Sequence, residues 1–378
     1  MKIQPAICQF LISVSIASLI GCSSEDTFIQ PTPAEPPPSR SIDDFGVEVL
    51  SRSIRSDGTS SDITGYVDPT SGEEYAILGD LSGEQLGDVI IYKVLNDGQT
   101  EVVSEIAGIA GFDIKVFRHY LYIANGGPFG AADPKSFIYD ISDPSNPTRV
   151  GEFAPAHNIT IDPRGYIYLS GTHDGDGLVL MNLNEAPENP ERIWSDRYRT
   201  GGHDASVIGN RLYDFHGSFT VIYDITDAEN PIQLSTITDP GIGYHHSGWT
   251  TSDGNFLYIC DEGGNAYFVQ PDITIWDISD PQSPFKVGVI HDPTSRVHNL
   301  YIENNLAFVS YYEAGFRVFD LTSPHQPLLT GQLYTNISNG NGIGSGFSGA
   351  FGVHLSQTSD MIFVSDINNG LYIVRYDP

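Results

Sequence analysis

The sequence predicts an all-β fold, a seven-bladed β-propeller of four-stranded blades closed by an amino-terminal strand. Three observations predict it: a segment that recurs seven times, a spacing of 42 to 55 residues between its copies, and short strands with proline turns but no helical pattern between them. Leucine-rich repeats would be shorter, and helical repeats would place apolar residues three and four positions apart.

The recurring segment is a short apolar strand that ends near an acidic or amide position, as in FIYDISDPSNP and ITIWDISDPQSP. The seven copies align on Lys93, Asp140, Asn182, Asp224, Asp277, Asp320 and Arg375. Successive copies are therefore 47, 42, 42, 53, 43 and 55 residues apart. Pairs such as Asp143-Pro144 follow, and they favour tight turns because proline fixes φ and Asp bonds the backbone beyond it.

Each unit holds enough chain for four strands, as in HNLYI, NLAFVSYY, FRVFDL and PLLTGQL. The last unit stops at Pro378 after its third strand, which would leave an exposed sheet edge. The segment Val47 to Ile54, VEVLSRSI, alternates like a strand and precedes the first complete unit. We predict that it is the fourth strand of the seventh blade and closes the ring.

The amino terminus resembles a bacterial lipoprotein signal. Residues 1–21 form an apolar signal peptide that ends in Leu19-Ile20-Gly21-Cys22, so we expect lipid on Cys22 and a lipid membrane as a partner. Cleavage elsewhere, as in a plain secretory signal, is the alternative. Residues 22–41 are rich in proline and polar residues and predict a tether, and residues 42–378 predict a single propeller domain. We therefore expect a lipid-anchored protein of the bacterial cell envelope, at the outer membrane or the cell surface.

Charge and cysteine content restrict the partners. The formal net charge is −30, and 17 basic residues face 48 acidic ones once Lys2 is removed with the signal. Such a surface repels phosphates, so nucleic acid is excluded, whereas protein, glycan or cationic ligands are compatible. Cys260 would be the one cysteine left besides Cys22, and its apolar context predicts a small buried side chain.

Polar residues recur at the start of the predicted first strands. The motifs GFDIKV, AHNITI, GHDASV and VHNLYI carry them, and the first strand of each blade lines the central channel of a propeller. We expect one collar at structurally equivalent positions, formed by Asp62, Asp113, His157, His203, Asp204, His246 and His298. In the seventh unit His354 is shifted by about two residues, so its membership stays open.

The collar has three interpretations. Neutral imidazole with carboxylate suits Zn, Cu, Ni, Mn or Fe, which makes a divalent metal ion a candidate cofactor, with His157, His203, His246 and His298 as candidate ligands. The histidines could instead handle protons near neutral pH. In the structural alternative, these side chains bond the backbone of the next blade and a column of water.

Other candidate motifs predict structure more than chemistry. The ends of the second strands carry acidic residues, among them Asp261 and Glu262, which we interpret as turn residues beside glycine. Trp249 is interpreted as blade packing. The sequence has no GxSxG, HExxH, Walker or CxxC motif.

Several segments together resemble the choice-of-anchor B family, which is built from LVIVD repeats. They include GFDIKVFRHYLYIA, AHNITID, GYHHSGWTTSDGNFLYICDE and VHNLYIENNLAFVSYYEAGFRVFDLTSP, and the similarity runs from about Asp62 to Tyr376. The resemblance implies a propeller-like body joined to the cell surface by an anchor, here Cys22, and it implies no particular reaction. Its motif positions coincide with the collar and Trp249, whereas FGVHLS in the seventh unit departs from the pattern.

Two hypotheses of function follow. The first is a binding or scaffold propeller of the cell envelope without enzymatic activity, which we expect because the known catalytic motifs are missing. The alternative is a metal-dependent hydrolase or oxidoreductase that uses the collar at the central channel.

Overall fold

The computed structural model describes residues 44–54, 59–80, 87–125, 135–172, 176–197, 199, 201–263, 272–291, 295–335 and 347–378. Residues Ile42–Pro378 form one compact unit. The predicted signal peptide, Cys22 and the tether lie outside the described residues. The residues that the structure describes contain no helix with the length and apolar character needed to cross a membrane.

Regular structure in the described ranges is entirely β, arranged as seven antiparallel sheets of four strands. Blade one contains β2 (Ser60–Val67), β3 (Glu74–Asp80), β4 (Asp88–Val94) and β5 (Thr100–Ala107). Blade two contains β6 (Asp113–Phe117), β7 (Tyr120–Ala124), β8 (Ser136–Asp140) and β9 (Thr148–Phe153). Blade three contains β10 (Asn158–Ile161), β11 (Tyr166–Ser170), β12 (Val179–Asn182) and β13 (Glu191–Ser195).

The next three blades repeat this plan. Blade four contains β14 (Asp204–Ile208), β15 (Arg211–Phe215), β16 (Thr220–Asp224) and β17 (Ile232–Ile237). Blade five contains β18 (His245–Thr250), β19 (Phe256–Asp261), β20 (Ile273–Asp277) and β21 (Phe285–Ile290). Blade six contains β22 (Leu300–Glu303), β23 (Leu306–Ser310), β24 (Phe316–Asp320) and β25 (Leu328–Leu333).

The seventh blade is built from both ends of the propeller. It contains β26 (Ala350–Leu355), β27 (Met361–Asp366), β28 (Gly370–Tyr376) and, outermost, β1 (Val47–Ser53). Strand β1 pairs antiparallel with β28, from Val47 opposite Tyr376 to Ser53 opposite Leu371. The predicted seven-bladed fold and its closure by the amino-terminal strand are therefore confirmed.

The repeated acidic position that defines the period has a structural role. Asp140 ends β8 and accepts a 2.8 Å hydrogen bond from the Ser142 amide. Asp224, Asp277 and Asp320 make the same contact with the amide two residues further on. Because an Asp at a strand end can bond the backbone of the following turn, the repeat encodes hairpins between third and fourth strands.

Apolar side chains fill the spaces between adjacent blades. Ile77 and Ile91 of blade one pack with Ile114 and Ile123 of blade two, and all four are fully buried. Each of the other clusters likewise involves neighbouring blades, as where Phe363 of blade seven meets the apolar face of blade one. This packing holds the innermost strands around a central space, where the polar residues converge.

Candidate functional site

The first strands of the seven blades surround one cavity of about 560 Å³. Its walls include all seven residues of the sequence-predicted collar: Asp62, Asp113, His157, His203, Asp204, His246 and His298. A cavity of this size is in the range of small-molecule sites, which are usually 300–1,000 Å³. Trp249 and His354 line the same space.

The collar residues occupy two layers rather than one equivalent position. Asp113 pairs with Ala124, and the preceding residue, Phe112, donates its amide to the Ala124 carbonyl. In blade four, Asp204 pairs with Phe215 and the preceding residue, His203, makes the same amide contact. Asp113 is therefore equivalent to Asp204, not to the histidines, and the expectation of a single position is wrong.

The first layer is a circle of side-chain rings in which each ring lies next to the following one, and we call it the aromatic collar. Its members, one from each of blades two to seven, are Phe112, His157, His203, His246, His298 and Phe351. Successive ring centroids lie 4.6, 4.3, 4.4, 4.6 and 4.0 Å apart, and the two phenylalanines meet at 6.2 Å. Four successive blades thus present an imidazole at one level.

Two carboxylates flank the imidazoles. Asp204 Oδ1 lies 2.9 Å from His203 Nδ1, but the contact is not aligned as a hydrogen bond and is chiefly electrostatic. Asp204 Oδ2 lies 4.0 Å from His246 Nδ1. Glu262 approaches the other edge of His246, with Oε2 3.6 Å from Nε2, and its Oε1 accepts a 2.6 Å hydrogen bond from the Tyr312 hydroxyl. Two acids therefore converge on the same imidazoles from different sides.

Burial and charge set the protonation of this cluster. Burial lowers the pKa of His246 to about 3, despite the nearby carboxylates, and burial likewise lowers the pKa of His298. Burial also opposes charge on His203, but Asp204 and Glu262 outweigh it and raise its pKa. Burial would raise the pKa of Asp204 and Glu262, yet the imidazoles around them lower it. The cluster therefore holds two anionic carboxylates beside the neutral imidazoles of His246 and His298, whereas the His203 imidazole is shifted toward its protonated form. The two carboxylates attract cations.

Asp62 and Asp113 serve a different purpose. Asp62 accepts hydrogen bonds from the Ile114 amide of the next blade (3.2 Å) and from the Lys115 ammonium (2.7 Å). Asp113 is also bonded to Lys115 and accepts the Ile159 amide of blade three at 2.8 Å. Burial lowers the pKa of Lys115, but the two carboxylates reverse this effect and raise it. These acids connect neighbouring blades, as the structural interpretation of the collar anticipates for this part of it.

His354 lines the cavity but is not part of the aromatic collar, because Phe351 takes that level in blade seven. Its ring lies against Phe363, with centroids 5.8 Å apart, and against the backbone of Gly65, where an added Cβ would come within 2.3 Å of Nε2. Burial lowers the pKa of His354 to about 4. This histidine is therefore a neutral packing residue.

We predict that His354→Leu flattens the acid sensitivity of folding. The folded protein takes up this proton only near pH 4, whereas the unfolded chain does so near 6.5, so stability falls as the pH drops between these values. The difference corresponds to about 3 kcal/mol at ~1.4 kcal/mol per pKa unit. Urea unfolding of both proteins at pH 7 and 4.5 measures it; an equal acid loss in wild type and variant would contradict the assignment.

Two overlapping groups have the composition of a metal site. They are His157 with His203 and Asp204, and His203 with His246 and Glu262; in each, the ligand atoms lie within 4.8 Å of one another. Three of the four predicted metal ligands are thus in these groups. His298 adjoins the second, with Nε2 4.0 Å from Glu262 Oε1.

Glu262 is the functional candidate whose role the sequence did not indicate. The sequence predicts that Glu262 and Asp261 are both turn residues, and Asp261 does stabilise a turn by accepting hydrogen bonds from the amides of Gly243 and Tyr244 at 2.6 and 2.7 Å. Glu262 follows the end of β19 and reaches the aromatic collar instead. The sequence offers one indication of this role: Asp261 and Glu262 are consecutive, and successive side chains of an extended chain point to opposite sides. Cys260, in contrast, is fully buried as predicted.

Two segments, residues 107–154 and 252–292, match the LVIVD repeat. This protein contains LVIVD repeats. The first covers blade two and the second runs through most of blade five, so the matched LVIVD segments correspond to propeller blades. No curated protein shows significant sequence similarity to the LVIVD-containing chain.

Solved structures share the propeller architecture at low sequence identity. A proposed 6-phosphogluconolactonase from Bacteroides fragilis is 13% identical with a TM-score of 0.59, and the alignment covers 79% of this chain and 88% of that one. The periplasmic gluconolactonase of Pseudomonas aeruginosa is 13% identical with a TM-score of 0.57, over 77% and 88% of the two chains. A chain of the mitotic checkpoint complex is equally similar, at 12% and 0.58 over 87% and 94%. Since proteins of such different roles match equally, the likeness shows the fold alone.

Proposed function

We propose that this protein is a ligand-binding propeller of the bacterial cell envelope and that its ligand occupies the central cavity. One observation carries the proposal: where the aromatic collar lines the cavity, His203 and His246 each have a buried Nδ1 atom without a hydrogen-bond partner among the described residues. His246 is 2% exposed, and its Nδ1 has no hydrogen-bond partner among the described residues. Because an unsatisfied buried polar group is costly, such groups are usually kept for a ligand.

The chemistry of the walls favours a ligand with a cationic or strongly polar end. The carboxylates of Asp204 and Glu262 give this part of the cavity wall negative charge, and the acidic composition of the whole chain adds to it. Elsewhere on the cavity wall, Trp249 and Tyr301 form an aromatic contact, with centroids 4.9 Å apart. A ligand that combines a cation or polar group with an apolar face fits both regions.

A large side chain introduced into the cavity wall tests whether the cavity holds a ligand. Thr160 lines it, so Thr160→Trp should exclude a small ligand, whereas Thr148→Trp on the exposed β9 should not. Native mass spectrometry of protein released from its own membranes should show a bound small molecule in wild type and in Thr148→Trp only. A molecule retained by Thr160→Trp, or none in wild type, would refute a cavity ligand.

We also propose that lipid on Cys22 anchors the propeller, on the strength of the signal sequence and the proline-rich segment after it. Cys22→Ser should then move the protein from the membrane fraction to the soluble envelope fraction without changing its unfolding midpoint. Cell fractionation with immunoblotting measures this. Persistence of the Cys22→Ser protein in the membrane fraction would count against the anchor.

A metal-dependent hydrolase or oxidoreductase is the second candidate. The observation that favours it is the space beside the imidazoles, where a substrate could lie next to a metal-bound water. The gluconolactonase structures add no support, because their similarity is confined to the fold. Turnover that is lost in His246→Ala but kept in His354→Leu would support the enzyme over the binding protein.

A further inference from the structure

We propose that one divalent transition-metal ion binds at the aromatic collar, through His203 and His246 of the collar and the adjacent Glu262. This inference rests on the proposed role of the cavity and names a species that its wall would hold. The three side chains come from β18 and from the chain next to β14 and β19, so the site joins blades four and five.

The spacing of the ligand atoms fits a small ion. A tetrahedral site with bonds of about 2.0–2.1 Å places its ligand atoms roughly 3.4 Å apart. His246 Nε2 and Glu262 Oε2 are already 3.6 Å apart, and the whole group lies within 4.8 Å. Side-chain shifts below 1 Å would therefore complete the coordination, without movement of the strands.

Asp204 is placed to orient both imidazoles. Its two oxygens face the Nδ1 atoms of His203 and His246, at 2.9 and 4.0 Å. Neither contact is a hydrogen bond, but the negative charge of Asp204 beside both Nδ1 atoms favours the ring proton there and leaves each Nε2 unprotonated on the opposite edge of the ring. Carboxylates beside metal-binding histidines commonly act in this sense. Asp204 is thus a positioning residue, and the Nε2 atoms are the ligands.

Glu262 is held in a similar way. The Tyr312 hydroxyl donates to Oε1 at 2.6 Å, so Oε2 remains for the ion. Tyr312 itself has a positive φ of 35°, an unfavourable conformation for a non-glycine residue that is retained beside this site. His298 donates Nδ1 to the Phe351 carbonyl at 2.6 Å, which leaves its Nε2 lone pair, 4.0 Å from Glu262, as a further ligand.

The other group of candidate ligands, His157 with His203 and Asp204, is less suited to bind a metal ion. It shares His203 with the first group, so the two groups do not offer independent sites. Asp204 Oδ1 and His203 Nδ1 of this group lie 2.9 Å apart, which is shorter than the roughly 3.4 Å edge of a metal tetrahedron. Two or three imidazoles with one carboxylate favour Zn²⁺ or a similar ion over Ca²⁺ or Mg²⁺, which prefer all-oxygen sites.

The test is Zn²⁺ titration calorimetry on full-length, detergent-solubilised protein that has been treated with chelator, together with the visible absorption of the Co²⁺-loaded form. We expect one ion per chain in wild type. His246→Ala and Glu262→Gln should weaken binding at least 100-fold, and Asp204→Asn should weaken it about 10- to 100-fold at unchanged stoichiometry. His354→Leu and His157→Ala, which change histidines of the same cavity outside the proposed ligand set, should stay within a few-fold of wild type.

Three results would overturn the site: no Zn²⁺ binding by folded wild-type protein, unaffected binding in Glu262→Gln, or equal losses in His157→Ala and His246→Ala. Far-UV circular dichroism and urea unfolding establish that each variant is folded. The outcome is separate from that of the cavity proposal. Metal binding without a co-purifying molecule sustains the metal site alone, whereas a molecule excluded by Thr160→Trp without metal binding sustains the cavity alone.

Discussion

Removal of residues 1–54 is expected to leave a propeller that aggregates instead of closing. The deletion takes away β1, and with it six register pairs to β28 and the hydrogen bonds between Phe45 and Gln332 of blade six. The exposed edge of β28 would be free to pair with other chains. We expect a loss of roughly 5 kcal/mol or more, comparable to the whole stability of many domains.

Removal of residues 1–41 is the matched control for this deletion, because it keeps β1 intact. Both proteins would be produced without the signal and compared by size-exclusion chromatography and urea unfolding. The shorter deletion should give a monomeric, cooperatively unfolding protein. Equal unfolding midpoints for the two deletions would show that β1 does not stabilise the ring.

Asp113→Ala is expected to destabilise the protein by about 2–4 kcal/mol, because it removes one of the two carboxylates that bind Lys115, the other being Asp62. It also leaves the Ile159 amide and the Asn158 side chain, which donate to Asp113 at 2.8 and 2.6 Å, without their acceptor. Asp113→Asn keeps an acceptor and should lose less. Chemical denaturation measures the effect.

Asp204→Ala is the informative comparison, because Asp204 is equivalent in position yet faces imidazoles instead of the next blade's amide. Its stability loss should be clearly smaller than that of Asp113→Ala. A loss of equal size would mean that both acids are structural connections and that the division of the collar is wrong.

The fold was predictable because the residues that form the turn between the third and fourth strands recur along the chain with the period of the blades. In four of the seven blades an aspartate such as Asp140 marks the end of the third strand by bonding the following turn, so the repeat period is visible at residues that are easy to align. The closing strand was predictable for a second reason. The last unit lacks a fourth strand, and the segment Val47 to Ile54 has the alternating pattern of a strand that belongs to no complete unit.

The site was predictable in membership but not in geometry. Asp113 and His157 begin similar motifs, but their positions in the strand pairing differ by one residue. They therefore lie in different layers of the cavity wall. Sequence spacing cannot resolve such a shift, because consecutive residues at the start of a first strand both line the cavity. Glu262 was assigned to a turn since its approach to His246 depends on how the chain leaves β19.

The closure of the ring also has a kinetic consequence. Glu48 and Arg375 meet across the β1–β28 pair although they are 327 positions apart in the chain. The first strand to leave the ribosome therefore has no partner until the last one has been made. Contacts between distant residues form slowly, so the final closure of this propeller should be a late, rate-limiting step that follows synthesis of the whole chain.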